Sequence, residues 1–234
     1  MTSPVDAIRG GLVVSCQAYP GEPMRDPDTM CRVAQAAVLG GAVAIRAQGI
    51  EDLEAMRPVL DVPLIGLWKD GKSGVFITPT VEHARAVAAT GVQIVAIDAT
   101  LRPRPDGSSV ADSVEAVHDA GALVMADCST LADGVAAAQA GADLVGTTLA
   151  GYTEDTPKTD GPDLALLAAL VHELGLPVVC EGRVHTLAQA GAAMDAGAHA
   201  VVVGTAITHP TTITSWFVDA VHDRASAGPE SRDH

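Results

Sequence analysis

Eight short runs rich in branched apolar residues recur along the chain: LVVSCQ (12–17), AVAIRAQ (42–48), PLIGLWK (63–69), QIVAIDAT (93–100), ALVMADCS (122–129), DLVGTTLAG (143–151), PVVCEG (177–182) and AVVVGTA (200–206). Between them, apolar residues return with helical period among good helix formers, as in MCRVAQAAVLGG, TVEHARAVAATG, SVADSVEAVHDAG and TLADGVAAAQAG. Pro79-Thr80, Ser129-Thr130, Gly161-Pro162 and His185-Thr186 supply helix-start signals. A weak repeat marks the helix ends. GGA (40–42) and AGA (120–122, 140–142 and 196–198) are each followed within a few residues by an apolar run, and the glycine suits a left-handed helix end.

Near-continuous apolar strands alternating with helices imply a parallel sheet that is covered on its outer face. Eight such units predict a closed (β/α)8 TIM barrel, an α/β fold, as a single domain over residues 1–225. Residues 226–234 are expected to form a disordered tail. A doubly wound open sheet is the alternative, but no GxGxxG follows the first strand.

Composition narrows the function. The formal charge of −15 argues against nucleic acid and anionic membranes as partners, because both need a basic face. It leaves room for a small anionic ligand held by local donors. No apolar run reaches the length of a membrane span, the N-terminal residues are unlike a signal peptide, and Cys16, Cys31, Cys128 and Cys180 form no CxxC. A cytoplasmic protein with reduced, mostly core cysteines is expected. The eight histidines lack HxH or HExxH spacing, so metal binding has little support.

Active sites of such barrels lie at the C-terminal ends of the strands. Those ends carry Gln17, Arg46, Lys69, Asp98, Asp127 and Glu181-Gly182-Arg183. A charged residue at a strand end is often only the first wet position of a loop, and Asp98 suits loop tying as well as catalysis. Ionic residues on five of eight strands along one rim are harder to dismiss. Gln17, Lys69, Asp127 and Glu181 come from odd strands, which contribute to one interior layer. The runs after strands 7 and 8, EGRVHT and VVVGTAIT, suit a phosphate site. Gly182 and Gly204 would admit backbone N–H groups, with Arg183 or Thr205 as further donors.

The stretches GGLVVSCQAYPGEP, GGAVAIRAQGIEDL, VFITPT, IDATLRPRPDG, MADCSTL, GTTLAGYT, EGRVHT and HAVVVGTAI resemble the N-acetylmannosamine-6-phosphate 2-epimerase family over about residues 9–221. The resemblance implies a TIM barrel without metal or organic cofactor that interconverts N-acetylmannosamine 6-phosphate and N-acetylglucosamine 6-phosphate in sialic acid and amino sugar catabolism. It implies Lys69 and Glu181 as catalytic residues, Gln17, Arg46 and Asp127 in the sugar pocket, and the glycine-rich ends of strands 7 and 8 on the phosphate. Two places depart from the family pattern: a short DGKSG follows Lys69, and His209 stands where arginine is common. His209 is therefore expected to act as a weaker phosphate partner. A phosphosugar lyase using Lys69 as a Schiff-base nucleophile and a non-catalytic phosphosugar-binding barrel are the rival classes. The sequence leaves the oligomeric state open, a homodimer being one assembly it allows.

Overall fold

A computed structural model describes residues 2–226. The expected tail lies outside the described residues apart from Ser226, which ends the last helix. In chain order the elements are α1 (Pro4–Ala7), β1 (Leu12–Cys16), α2 (Pro27–Leu39), β2 (Ala44–Gln48), α3 (Ile50–Met56), β3 (Leu64–Leu67), α4 (Val81–Ala89), β4 (Ile94–Asp98), α5 (Val110–Asp119), β5 (Leu123–Asp127), α6 (Leu131–Gln139), β6 (Leu144–Gly146), α7 (Leu164–Glu173), β7 (Val178–Cys180), α8 (Leu187–Asp195), β8 (Ala200–Val203), α9 (Thr205–Thr208) and α10 (Pro210–Ser226). All eight strands fall inside the expected runs. They pair in parallel and in chain order, and β1 closes on β8 through Val13↔Val202.

The two-residue period of each strand divides its side chains between two cores. Val13, Ala44, Ile65, Leu67, Ile94, Ala96, Met125, Leu144, Val179 and Val202 fill the barrel interior. Val14, Cys16, Ile45, Ala47, Val95, Ile97, Val124 and Val201 point outward onto the helices. The N-terminal end of the barrel is closed by α1 and by Ile8, which is fully buried in the interior core. His199 Nε2 lies 2.8 Å from the Val5 carbonyl, and Gly10 N–H donates to the His199 carbonyl. The apolar bottom leaves the C-terminal mouth as the polar end.

The helix signals hold locally. Thr80, Thr130 and Thr186 cap α4, α6 and α8 with their hydroxyls, and Asp163 rather than Gly161-Pro162 caps α7. Gly41, Gly121, Gly141 and Gly197 each take the left-handed conformation past a helix end. Asp133 does more than complete the capping box of α6. Its Oδ2 accepts from the N–H groups of Ser129 and Thr130 and from the Ser129 hydroxyl, and its Oδ1 accepts from Leu101 N–H in the loop after β4. One buried carboxylate thus fixes two adjacent loops at the barrel mouth.

The final helix differs from those before it. Among the elements, α10 packs chiefly against α9. Ile213, Trp216, Phe217 and Val221 recur at i, i+3, i+4 and i+8 along it, and the last three are exposed.

Asp133→Ala should cost about 3 kcal/mol, because it strands several loop donors. For a chain of this size that lowers Tm by roughly 6–12 °C. Calorimetry checks this, and an unchanged Tm would deny Asp133 its loop-fixing role.

Candidate active site

The side chains expected along the rim converge on a cavity of about 500 Å³ at the C-terminal mouth. Gln17, Lys69, Glu181, Gly182, Arg183, Gly204 and Thr205 all line it. Arg46 and Asp127 lie beneath it, almost entirely shielded from solvent. Arg46 comes from the even strand β2, so the polar layer is not confined to odd strands.

Arg46 organises this floor. Its Nη2 donates to Asp127 Oδ2 at 2.6 Å and its Nη1 to Asp127 Oδ1 at 3.2 Å. Nη1 also reaches Glu181 Oε2 at 3.2 Å. One guanidinium therefore serves two carboxylates. A buried ion stripped of its partner costs several kcal/mol, so the three residues stand or fall together. Burial pushes the Glu181 carboxyl up to about 7; the Arg46 charge opposes this and the Asp127 charge adds to it.

Lys69 stands just beyond β3 on a short hairpin. Lys69 pairs with Ile77 in an antiparallel bridge, Asp70 N–H donates to the Phe76 carbonyl, and Thr78 N–H donates to the Trp68 carbonyl. Thr78 holds a left-handed φ of 46°, pinned by its hydroxyl on the Ala96 carbonyl and by Arg104 on its own carbonyl. The short DGKSG segment is the turn of this hairpin, and Gly71 and Lys72 border the cavity. Among the described residues Lys69 makes no ion pair; its ammonium lies 5.2 Å from the centroid of the Tyr19 ring. Burial, and next the Arg46 charge, lower its pKa to about 8 against the opposing pull of Glu181 and Asp127. In the closed order β1 to β8, the strands leading into Lys69 and Glu181 are four apart. The two groups therefore face each other across the mouth.

Gly182, with φ 105°, and Gly204 and Thr205, at the start of α9, form one wall of the cavity. Arg183 lines the same wall, but its guanidinium also donates to the carbonyls of Gly161 and Ala150 and to the Thr159 hydroxyl, and it stacks 5.0 Å from the Tyr152 ring. It ties down the loop after β6. His209 is occupied as well: Nε2 lies 2.7 Å from the Gln17 carbonyl and Nδ1 3.5 Å from Glu22. Both ring nitrogens face protein acceptors, so the ring braces the segment after β1. Asp98 ties its own loop. It accepts from Thr100 N–H and hydroxyl and from Arg102, 2.7 Å away.

Four site residues were not singled out from the sequence. Thr147 exchanges hydrogen bonds with the Glu181 backbone, donating to its carbonyl and accepting its N–H. The Thr148 hydroxyl lies between Asp127 and Glu181. Tyr19 and Tyr152 line the cavity walls. The signals were the paired hydroxyls within the sixth run and the fact that these are the chain's two tyrosines. Among the described residues no group of three or more His, Cys, Asp or Glu side chains is arranged to hold a metal ion.

The family model described as "Putative N-acetylmannosamine-6-phosphate epimerase" matches residues 30–223. A relative from Cutibacterium acnes named "Putative N-acetylmannosamine-6-phosphate 2-epimerase" is 56% identical over 220 residues, 93% of this chain and 96% of its own. One of the same name from Corynebacterium glutamicum is 48% identical over 221 residues, covering 92% and 94%. The solved N-acetylmannosamine-6-phosphate 2-epimerase from Clostridium perfringens superposes with a TM-score of 0.90 at 43% identity, over 92% of this chain and 95% of that one. Thiamine phosphate pyrophosphorylase from Pyrococcus furiosus, with a TM-score of 0.62 at 18% identity, shares the fold alone. Sequence match along most of the chain and superposition of the whole barrel agree: this chain belongs to the N-acetylmannosamine-6-phosphate epimerase family.

Proposed function

We propose that the chain inverts C2 of N-acetylmannosamine 6-phosphate to give N-acetylglucosamine 6-phosphate, reversibly, in sialic acid and amino sugar catabolism. The observation that carries this reading is a lysine and a carboxyl facing each other across the cavity, with pKa values drawn toward one another. In the ring-opened sugar C1 is an aldehyde, so loss of the C2 proton leaves an enolate. Neutral Lys69 takes that proton from one face and becomes ammonium. Protonated Glu181 delivers its own proton to C2 from the other face and becomes carboxylate. The new C–H bond lies opposite the broken one, which inverts C2. The reverse direction starts from the ammonium–carboxylate form. General acid–base groups of this kind contribute about 10²–10⁴-fold each.

Gln17 orients the sugar from the cavity wall, and Arg46 and Asp127 do so from beneath it, through the position of Glu181. The N–H groups at Gly182, Gly204 and Thr205, with Arg183 beside them, receive the phosphate. Arg25, Lys72 and Arg183 on the cavity wall supply local positive charge in an acidic chain. No helix among the described residues is long and apolar enough to cross a membrane. A sugar phosphate is charged and does not cross a bilayer unaided, so we place the chain in the cytoplasm beside its substrate. We propose further that it acts as a homodimer joined through α10. Its exposed stripe repeats on a second copy as a self-complementary surface. Trp216 on that helix packs 4.8 Å from the ring of His185, which lines the cavity.

Three outcomes check this reading. In D2O, proton NMR should show Lys69→Met unable to exchange C2 of the epimer from which lysine takes the proton. Glu181→Gln should stop epimerisation while still exchanging C2 in that epimer; near-normal exchange in Lys69→Met would remove lysine as the base. The pH profile of kcat/KM should be a bell with limbs near 7 and 8, values that belong to the pair. The singly protonated pair is the active form, so the rate falls below the lower limb as both groups gain protons and above the upper limb as both lose them. Exchange in Glu181→Gln should keep only a rising limb. Light scattering should give twice the chain mass for the native protein and a monomer for Phe217→Glu; a native monomer would discard the α10 interface.

A further inference from the structure

We propose that Thr148 is a positioning residue that keeps the proton on Glu181, accepting a hydrogen bond from the protonated carboxyl while donating its own hydrogen to Asp127. The inference rests on the epimerase reading above, in which Glu181 must hold a proton to deliver.

The geometry leaves little choice of donor. Thr148 Oγ1 lies 2.6 Å from Asp127 Oδ1 and 3.2 Å from Glu181 Oε2. A threonine hydroxyl has one hydrogen, and an ionised carboxylate only accepts. The shorter contact has the length of a hydroxyl donating to a charged oxygen, which places the hydrogen toward Asp127. The Asp127 carboxylate is held there by two Arg46 N–H groups. The lone pairs of Oγ1 are then left facing Glu181. Two lone-pair-bearing oxygens at that distance repel unless one carries a hydrogen, and the only one able to gain it is Glu181 Oε2. The chain Glu181 O–H to Thr148 O–H to Asp127 satisfies the three oxygens in line, and the protonated Oε2 keeps a lone pair for Arg46 Nη1, 3.2 Å away.

The site needs such a device because its two cations pull the opposite way. Glu181 is faced by Arg46 from β2 and Lys69 beyond β3, both of which favour the carboxylate. Asp127 from β5 favours the acid form. Tyr19, in the loop after β1, faces the same space and lies near enough to feel the Glu181 charge. The Thr147 hydroxyl fixes the Glu181 backbone, so the side chain leaves the strand end at a set point. Thr148 is the neutral group in contact with the carboxyl itself, and its neighbour Asp127 turns it into an acceptor.

Infrared spectroscopy of the ligand-free protein tests this without reference to turnover. A protonated-carboxyl band that vanishes in Glu181→Gln should be present in the wild type at pH 6 and disappear on titration. In Thr148→Val, nearly the same shape as threonine, the band should shift to the frequency of a carboxyl lacking an acceptor. Its titration should move down by about one pH unit. Thr148→Ser should restore both. Methyl for hydroxyl makes the site more apolar, which alone would raise the titration, so a fall can only come from the lost acceptor. In kcat/KM the acid limb should move down with it and the plateau drop about tenfold, since fewer molecules carry the proton on Glu181 while Lys69 is neutral. A titration that stays or moves up in Thr148→Val, or a wild-type protein with no such band at pH 6, overturns the proposal. A band that behaves as expected in a protein that does not epimerise the sugar phosphate would sink the epimerase reading instead and leave the Thr148 assignment standing.

Discussion

The acid–base centre at the mouth of this barrel is arranged around one buried cation, Arg46. Arg46 has almost no exposure and three oxygens of two carboxylates within 3.2 Å. A guanidinium keeps its charge at any accessible pH, so the neighbours must adapt to it. Asp127 supplies the two-pronged partner. Glu181 shares what remains, which leaves it short of full compensation and able to hold a proton. The same positive charge discourages a second cation nearby, and Lys69 is lowered partly for that reason. The acid and the base are tuned by a group that need not itself gain or lose a proton.

The fold makes this arrangement affordable. Interior side chains are apolar in the lower part of the barrel and sealed beneath by Ile8. Charge is confined to the upper part of the barrel: Arg46 takes the middle inward position of β2, Asp127 the last of β5, and Lys69 and Glu181 lie just beyond β3 and β7. Closing the sheet places β3 and β7 opposite each other, so a lysine and a carboxyl far apart in sequence flank a single cavity. Their supports are local and stiff: a hairpin bridge behind Lys69, and a threonine pair behind Glu181. Distances that would drift on open loops are thereby fixed by short backbone contacts.

The charge balance of the whole molecule says little about the site. A chain of net charge −15 directs two of its three lysines and two arginines to one cavity wall. Local donors rather than net charge decide what an enclosed site will hold, because burial weakens solvent screening over just those few ångströms. Away from the mouth, carboxylates such as Asp98 and Asp133 spend their acceptors on loop N–H groups. They keep the rim rigid and take no part in the cavity.

By itself the sequence determined the eight strand and helix units, their order, the helix caps at Thr80, Thr130 and Thr186, and the rim on which Gln17, Arg46, Lys69, Asp127 and Glu181 lie. These follow from periodicity, capping chemistry and the rule that charge leaves a barrel strand at its C-terminal end, all of which act over a few residues. Tertiary structure alone decided which of those residues touch. That Arg46 grips Asp127, 81 positions away, depends on barrel closure and register, which no local pattern encodes. The tasks of Arg183 and His209 likewise depend on carbonyls contributed by distant loops, and those carbonyls are identical in every residue type. Thr148 was hidden for a further reason: a hydroxyl is ordinary at a strand end until folding places it between two carboxyls, where its single hydrogen must choose.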